Sequence, residues 1–363
     1  MNLIKKIFSG MLCVVGAMLS SCRYSAEMDA VKGIKKITDG VFFLEFEGDY
    51  GMERYIAQGG ARNIEEMTAF ISKELKQGKW TAPENPSMKD VKICPVDFGC
   101  SSIAVRTSDG KSLFGRNYDW KNCSVLIIHS KPNAGYESVS TCCLAHIGLE
   151  ADWKPSGNIF SDMVALAAIY VPMDGMNEKG LYIADLIVGG ENEEPTAQDR
   201  GNVNVTTTDA IRMVLDKAAD VDEAVALLET LDMHSVIGRG HHFAIADAAG
   251  KAVAVEWVDN KMFVKETKVL TNHYVTDSRK KDDGKNPDTE NSRQRFALLG
   301  DAALEKKTAL DVAQTLKSVC VANYRKPEDD DLTVWSAVFE PENQKITYFF
   351  REDYDNKFTF ELK

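Results

Sequence analysis

Cys100 follows Gly99 in the run Phe98-Gly99-Cys100-Ser101-Ser102-Ile103, and Arg116 stands 16 residues further on in Gly115-Arg116-Asn117-Tyr118-Asp119-Trp120. A thiol that attacks an amide carbonyl needs a group to take a proton and hand it back. A cysteine at the head of a chain carries that group itself, in its own α-amine. Cys100 lies deep in the sequence, so its α-amine exists only if the Gly99–Cys100 bond is cut first. The feature predicts both a maturation event and a chemistry.

The local geometry follows from turn chemistry. Ile103 and Val105, with their polar neighbours, make a short strand, Ser108-Asp109-Gly110-Lys111 is a hairpin turn, and Ser112-Leu113-Phe114 starts the return strand. A two-residue Asp109-Gly110 loop pairs Ser108 with Lys111 and sets Cys100 opposite Asp119, with Cβ atoms about 4.5–5.5 Å apart. Asp119 is then close enough to hold the new ammonium group. Arg116 falls on the other face by parity and joins the site only through a bulge or a longer loop. The competing reading is an ordinary hairpin with a buried cysteine and a surface Asp/Arg pair.

Residues 1–22 read as a lipoprotein signal peptide. Lys5 and Lys6 precede an apolar run from Ile7 to Leu19, and Leu19-Ser20-Ser21-Cys22 fits a lipoprotein signal-peptidase site. Cleavage before Cys22 and lipidation of its thiol would tether the mature chain to a membrane; an ordinary secretory signal is the alternative. No later stretch offers the roughly 18 consecutive apolar residues a span needs. The expected location is therefore the bacterial cell envelope, lipid-anchored on its periplasmic or cell-surface side. The net charge of −12 and the lack of a basic patch argue against nucleic acid as a partner. Export permits disulfides, yet Cys94, Cys123, Cys142, Cys143 and Cys320 show no framework spacing. No C-x-x-C or H-x-x-x-H pattern suggests a metal, and no cofactor is expected. His241-His242, ahead of the strand Phe243 to Ala246, read as packing or hydrogen-bonding residues. A papain-like Cys–His pair ranks low, because none of the six histidines sits in a recognisable motif.

Residues 23–99 read as a separate leader, with a strand from Val41 to Phe46 and a helix opened by Asn63 and Glu66 in a capping-box-like start. Met67, Phe70, Ile71 and Leu75 give that helix one face to bury, and residues 78–86 form a flexible joint. Such a leader is suited to covering the site before release. Residues 100–363 read as one large catalytic domain. Val125 to Ser130, Val164 to Val171 and Gly180 to Val188 are apolar strands, followed by a helical pair over Thr208 to Ala218 and Val221 to Leu231. A meander from Phe243 to Tyr274, a helix from Leu310 to Val321 and a hairpin turning at Pro341-Glu342-Asn343-Gln344 complete the chain. Strand blocks separated by helix blocks predict two sheets sandwiched between helical layers.

Three later motifs supply what the cysteine lacks. Asp174-Gly175-Met176-Asn177-Glu178-Lys179-Gly180-Leu181 is a polar turn opening a strand, Thr271-Asn272-His273-Tyr274 ends one with a carboxamide, and Ser292-Arg293-Gln294-Arg295-Phe296 follows a charged loop. Attack on an amide creates an oxyanion, which asparagine side chains or backbone N–H groups can stabilise. Taken together and in this order, these motifs resemble the choloylglycine-hydrolase family of linear-amide C–N hydrolases, within the N-terminal-nucleophile superfamily. The resemblance runs from Cys100 to near the C-terminus, through Trp335-Ser336-Ala337-Val338. It implies an α+β, four-layer αββα sandwich, with Cys100 as nucleophile and Arg116 and Asp119 as its orienting pair. Asn177 and Asn272 match the oxyanion-side positions, and Arg295, with Arg293 close by, matches the final active-site arginine. The stretch from Cys100 to Asp119 is also similar to acid ceramidase and N-acylethanolamine amidase. Simple bile-salt hydrolases lose only an initiator Met or a signal peptide; the intervening leader is more like the self-cutting ceramidase-type and penicillin-acyltransferase-type members.

The resulting expectation is a self-processing, cofactor-free cysteine amidase acting on a small-molecule linear amide through a thioester. Ile103, Phe114, Tyr118, Trp120, Ile147, Trp153, Ile159 and Phe160 suggest an apolar acyl pocket. N-acyl amides come first, then conjugated bile acids and penicillin V, with Arg295 or Arg293 meeting any carboxylate on the amine side. An acyltransferase, a penicillin V acylase or an inactive ligand-binding lipoprotein are the alternatives, and a homo-oligomer is left open.

Overall fold

The computed structural model describes residues 26–76, 100–189, 194–279, 286–325 and 330–362. Cys22, Cys94, Gly99 and the joint over residues 78–86 lie outside them. The leader contributes strands β1 (Lys35–Thr38) and β2 (Val41–Gly48) and helices α1 (Met52–Ala57) and α2 (Ile64–Lys76). Strands β3 (Cys100–Arg106), β4 (Ser112–Lys121), β5 (Val125–Pro132), β6 (Ser138–Cys143), β7 (Asp174–Asn177) and β8 (Tyr182–Val188) follow. Strand β9 (Val203–Thr206), helices α3 (Thr207–Lys217) and α4 (Val221–Glu229) and strand β10 (Leu231–His234) lead into β11 (Gly240–Ala246), β12 (Ala252–Val258), β13 (Lys261–Glu266) and β14 (Val269–Leu270). Helices α5 (Ser292–Ala303) and α6 (Ala309–Ser318) precede β15 (Asp331–Glu340), β16 (Lys345–Phe350) and β17 (Phe358–Glu361).

Two sheets carry the site. One has the order β1-β2-β5-β6-β7-β8-β11-β12-β13 and the other β14-β3-β4-β15-β16-β17. Helix α3 packs on β7 and β8, while α6 packs on β4 and β15, so the layers run helix, sheet, sheet, helix. A sheet covered on both sides needs apolar residues on both faces, and β3 and β4 have them. Ile103, Val105 and Leu113 pack with Leu299, Val312 and Leu316 of the helical layer. Cys100, Phe114 and Tyr118 belong to the core between the sheets. There Tyr182 of β8 sits 5.4 Å from Phe114 and 4.8 Å from Phe339, ring centroid to centroid, locking the sheets together. Gly115 is needed in this packing, since a Cβ there would come within 2.8 Å of both Ile103 and Val312.

The hairpin differs from the expected one by a single residue. Thr107 N–H donates to the Lys111 carbonyl at 2.9 Å and Gly110 N–H to the Thr107 carbonyl at 3.1 Å, leaving a three-residue loop. Gly110 takes φ 87°, the left-handed residue such a loop requires. The ladder then pairs Cys100 with Tyr118 and Ser102 with Arg116, not Cys100 with Asp119. One residue of register exchanges the faces: Arg116 joins the side of Cys100, as the longer-loop alternative required.

Three further expectations are corrected. The run expected as a strand over Val164 to Val171 is a 3-10 helix over Met163–Tyr170, buried along its whole length; a short apolar run carries no period to tell the two apart. Cys123 and Cys143 form a disulfide despite the absence of framework spacing. The leader, finally, is no separate unit. Strand β2 pairs in parallel with β5 from Val41↔Val125 to Gly48↔Pro132, and Phe43 stacks on Phe360 at 5.2 Å. Arg351 donates to the Asp39 and Cys123 carbonyls, both at 3.0 Å. The start of α2 is as expected, with Asn63 Oδ1 accepting from Glu66 N–H at 2.9 Å.

Candidate active site

Cys100 is the first residue of β3, 5% exposed, and its backbone is held from two sides. Its N–H donates to Asn272 Oδ1 at 2.8 Å, and its carbonyl accepts from Arg295 Nη1 at 2.7 Å. Arg295 Nη1 also donates to Ser101 Oγ at 2.8 Å, and its Nη2 donates to Asn272 Oδ1 at 2.7 Å. Asn272 follows the short strand β14, which pairs with β3 through Val269↔Ile103 and Leu270↔Ser102. Arg295 projects from the first turn of α5. The motifs around Asn272 and Arg295 thus meet at one peptide unit.

The structure adds a positioning role for Asn272. Its oxygen accepts two donors, and its Nδ2 donates to the Ile187 carbonyl at 2.8 Å. The reversed carboxamide would set an NH2 group against two N–H donors. Asn272 therefore positions the nitrogen of Cys100 through its oxygen, while Nδ2 uses one of its two N–H groups on Ile187 and keeps the second for the oxyanion side. Asn177 is not brought to the site at all. Its Nδ2 donates to the carbonyls of Leu215 (3.0 Å) and Ala218 (2.8 Å) at the end of α3. Its Oδ1 accepts from the N–H groups of Lys179 and Leu181, each at 3.1 Å. A side chain saturated inside a turn cannot serve a reacting carbonyl. Arg293 donates to the Asn286 carbonyl at 2.9 Å, which leaves Arg295 as the active-site arginine of the two.

Arg116 is wholly buried on the Cys100 face. Its Nε donates to Asp174 Oδ2 at 3.2 Å and its Nη2 to the Asp185 carbonyl at 2.7 Å. Trp335 Nε1 donates to the same Asp174 oxygen at 2.8 Å. Nη1 of Arg116 has no hydrogen-bond partner among the described residues, a costly state for a buried cation. Burial works against its charge, but the Cys100 sulfur and the Asp174 carboxylate outweigh that, with sulfur the stronger of the two. The thiol responds in kind: burial pushes the Cys100 thiol up, while Arg116 and the Asp119 backbone pull it back.

Asp119 lines the same cavity as Cys100 but does not oppose it in the ladder. Its carboxylate accepts from Thr333 Oγ1 at 2.6 Å and Tyr324 OH at 3.1 Å. Burial pushes it up to about 7, against the pull of Arg295, Thr333 and Tyr324. The cavity runs under the leader, since Ile64 and Met67 of α2 line it together with Met173 and Ile187. Of the eight residues expected around an acyl pocket, Tyr118 and Trp120 line it. Ile103 faces the helical layer, and the Phe160 side chain lies outside the described residues. Among the polar residues of the cavity outside the chemistry-bearing motifs are His146, Asp185 and His241. His146 Nε2 lies 2.7 Å from Tyr118 OH and is pushed down to about 4 by burial, hence neutral. Asp185 is a lone acid in an apolar strand, which was the available signal. His241 and His242 do make hydrogen bonds, as their sequence setting suggested.

Residues 100–277 match the sequence model of the linear amide C-N hydrolases, choloylglycine hydrolase family. A bile salt hydrolase/transferase of Clostridium perfringens (strain 13 / Type A) is 28% identical over 187 residues, 48% of this chain and 53% of the relative. The chain thus spans about half the length of the curated relative it matches. Two crystal structures of variants of the conjugated bile acid hydrolase from Clostridium perfringens give TM-scores of 0.54 and 0.53. Each is 20% identical and covers 72% of this chain and 92% of its own. Their likeness extends the four-layer αββα sandwich to this chain.

Proposed function

From the match of residues 100–277 to the choloylglycine hydrolase family of linear amide C-N hydrolases, we propose that the chain is a member of that family and a self-processing cysteine amidase. After the Gly99–Cys100 bond is cut, the Cys100 sulfur attacks the carbonyl of a non-peptide linear amide. The new α-amine takes the thiol proton and passes it to the leaving amine, leaving a thioester. Water then gives a proton to the α-amine and its hydroxyl to the acyl carbon, and the thiol is restored. The observation that carries the reading is the 2.8 Å contact from the Cys100 nitrogen to Asn272: the atom that must become the base is already held.

Arg116 supports the attacking sulfur, since its unpartnered Nη1 is available to a thiolate in a buried site. Met67, Val171, Met173 and Ile187 along the cavity favour an extended apolar acyl group, worth about 0.8 kcal/mol per buried CH2. N-acyl amides with lipid-like chains therefore come before bile-acid or penicillin V substrates. Attachment through a lipid on Cys22 is part of the same proposal. Intact-mass analysis with a hydrolysis panel tests it. Wild-type protein should yield a fragment starting at Cys100, and Cys100→Ala should stay whole and inactive. Full activity in a chain continuous through Gly99-Cys100 would overturn it.

A further inference from the structure

Asp185, the single acid of β8 (Tyr182–Val188), lines the cavity at Cys100 together with His241. His241 Nδ1 lies 3.0 and 2.9 Å from its two carboxylate oxygens, and His241 Nε2 lies 3.0 Å from Ser235 Oγ. The direction of these bonds can be derived. Ser235 Oγ accepts the backbone N–H groups of Ile237 at 3.3 Å and Arg239 at 3.1 Å, which occupies both its lone pairs. Its hydroxyl hydrogen must then go to His241 Nε2, so Nδ1 carries the imidazole proton and donates it to Asp185. The connectivity is that of a Ser–His–Asp triad, but the serine oxygen is closed off by two donors. It anchors the histidine, and the histidine orients a carboxylate. The acid end of this relay faces the cavity.

The described lining residues include the carboxyl groups of Asp119 and Asp185 and no lysine or arginine. Arg295 is turned to Cys100 and Asn272, and Arg116 reaches only the backbone carbonyl of Asp185. An apolar acyl chain gains from the Met67, Val171 and Met173 walls and loses beside a carboxylate. The part of an amide substrate that reaches Asp185 is its amine portion. A hydroxyl or ammonium there hydrogen-bonds the carboxylate, whereas an anion meets like charge in a low dielectric.

We infer that Asp185, oriented by His241, is a specificity residue that selects amides of hydroxyl-bearing or cationic amines and rejects those of anionic amines such as amino acids. The inference rests on the amidase reading and deepens it. The test uses three amides of one long-chain fatty acid, formed with ethanolamine, ethylamine and glycine. Wild-type kcat/KM should rank them in that order. Asp185→Asn keeps an acceptor for His241 Nδ1 and removes the charge. It should raise the glycine amide relative to the ethylamide by about tenfold or more, mainly through KM, and narrow the ethanolamide preference. His241→Gln should shift the ratios the same way, less strongly. A merely structural Asp185 would lower all three substrates in proportion; unchanged ratios, or a wild-type preference for the glycine amide, overturn the inference and leave the amidase reading standing. Binding of the three amides to Cys100→Ala separates the two claims. The same ranking of Kd without any wild-type hydrolysis would overturn the amidase reading and uphold the selectivity.

Discussion

Asn272 and Cys100, 172 positions apart, are joined by a 2.8 Å hydrogen bond from the Cys100 nitrogen to the carboxamide oxygen. Arg295 clamps both partners, donating to the same oxygen and to the Cys100 carbonyl. Once the chain is cut, this arrangement fixes where the lone pair of the new amine points. Asn272→Ala should lower kcat by about 10²-fold or more, the range typical of a misplaced proton carrier, with a smaller change in KM. Steady-state kinetics on protein whose N-terminus is shown to be Cys100 checks it; an unchanged kcat would remove Asn272 from the machinery.

Arg116 should tolerate no conservative replacement. One guanidinium spans Asp174, the Asp185 carbonyl and the thiol side of the site, and a lysine ammonium lacks the planar fork to do so. Arg116→Lys should keep the fold, because a cation still faces Asp174. Turnover should fall by about 10²-fold, consistent with loss of a preorganised charge at the reacting centre. Measuring melting temperature and single-turnover rate on the same sample separates the two, and wild-type turnover would refute the role.

Cutting the Gly99–Cys100 bond should not release the leader. Strand β2 is paired with β5 along its length, Tyr50 OH donates to Asp216 at 2.5 Å, and Tyr55 OH donates to Asp209. The cut fragments should travel together on gel filtration and in native mass spectrometry and part only in denaturant. Arg351→Ala, which frees the carbonyls of Asp39 and Cys123, should lower the denaturant needed. Spontaneous separation of the wild-type fragments in native buffer would contradict this.

Asp119 gives a stability signature with a definite sign. Burial raises its carboxyl from the ordinary 3.8 to about 7, so between those values the folded chain keeps a proton that the unfolded chain has lost. Its contribution is fully present below the unfolded value and declines as pH rises towards 7, because ionising a buried carboxyl costs free energy. Asp119→Asn cannot ionise. Its melting temperature relative to wild type should climb as pH rises from about 4 to about 7 and then level off. Calorimetry of both proteins across that range is the check, and a difference constant with pH would dismiss the shift.

Much of this arrangement was legible in the chain because it rests on local chemistry. The β3–β4 hairpin, the caps on α2 and the β15–β16 turn each follow from turn or capping residues a few positions apart. The misreadings share a different cause. The Cys100–Asp119 register failed by one residue because Thr107, not Ser108, closes the loop, and Asp109-Gly110 is compatible with either length. Leader docking depends on β2 finding β5 across more than 80 residues, which no local pattern encodes. The Asp185–His241 pair was not legible for a similar reason: the sequence offers a lone acid on one strand and a His-His pair on another, and only the β8–β11 pairing of Ile187 with His241 and Asp185 with Phe243 brings them together.

The sharpest contrast is between the two asparagines that the sequence motifs put in one role. Asn177 closes its own turn, capping the Leu215 and Ala218 carbonyls and accepting from Lys179 and Leu181. Asn177→Ala leaves those four backbone groups short of partners in a buried setting, where an unmet polar group costs about 1–3 kcal/mol. The loss of stability should be roughly 2–4 kcal/mol after local relaxation. The fraction that remains folded should turn over at the wild-type rate, because none of these partners touches the Cys100 peptide. An oxyanion donor would behave in the opposite way, with kcat falling about 10²–10³-fold and stability almost unchanged. Denaturant titration paired with active-site-normalised kcat distinguishes the two outcomes. A large kcat loss at undiminished stability would return Asn177 to the site and overturn its assignment as a turn residue.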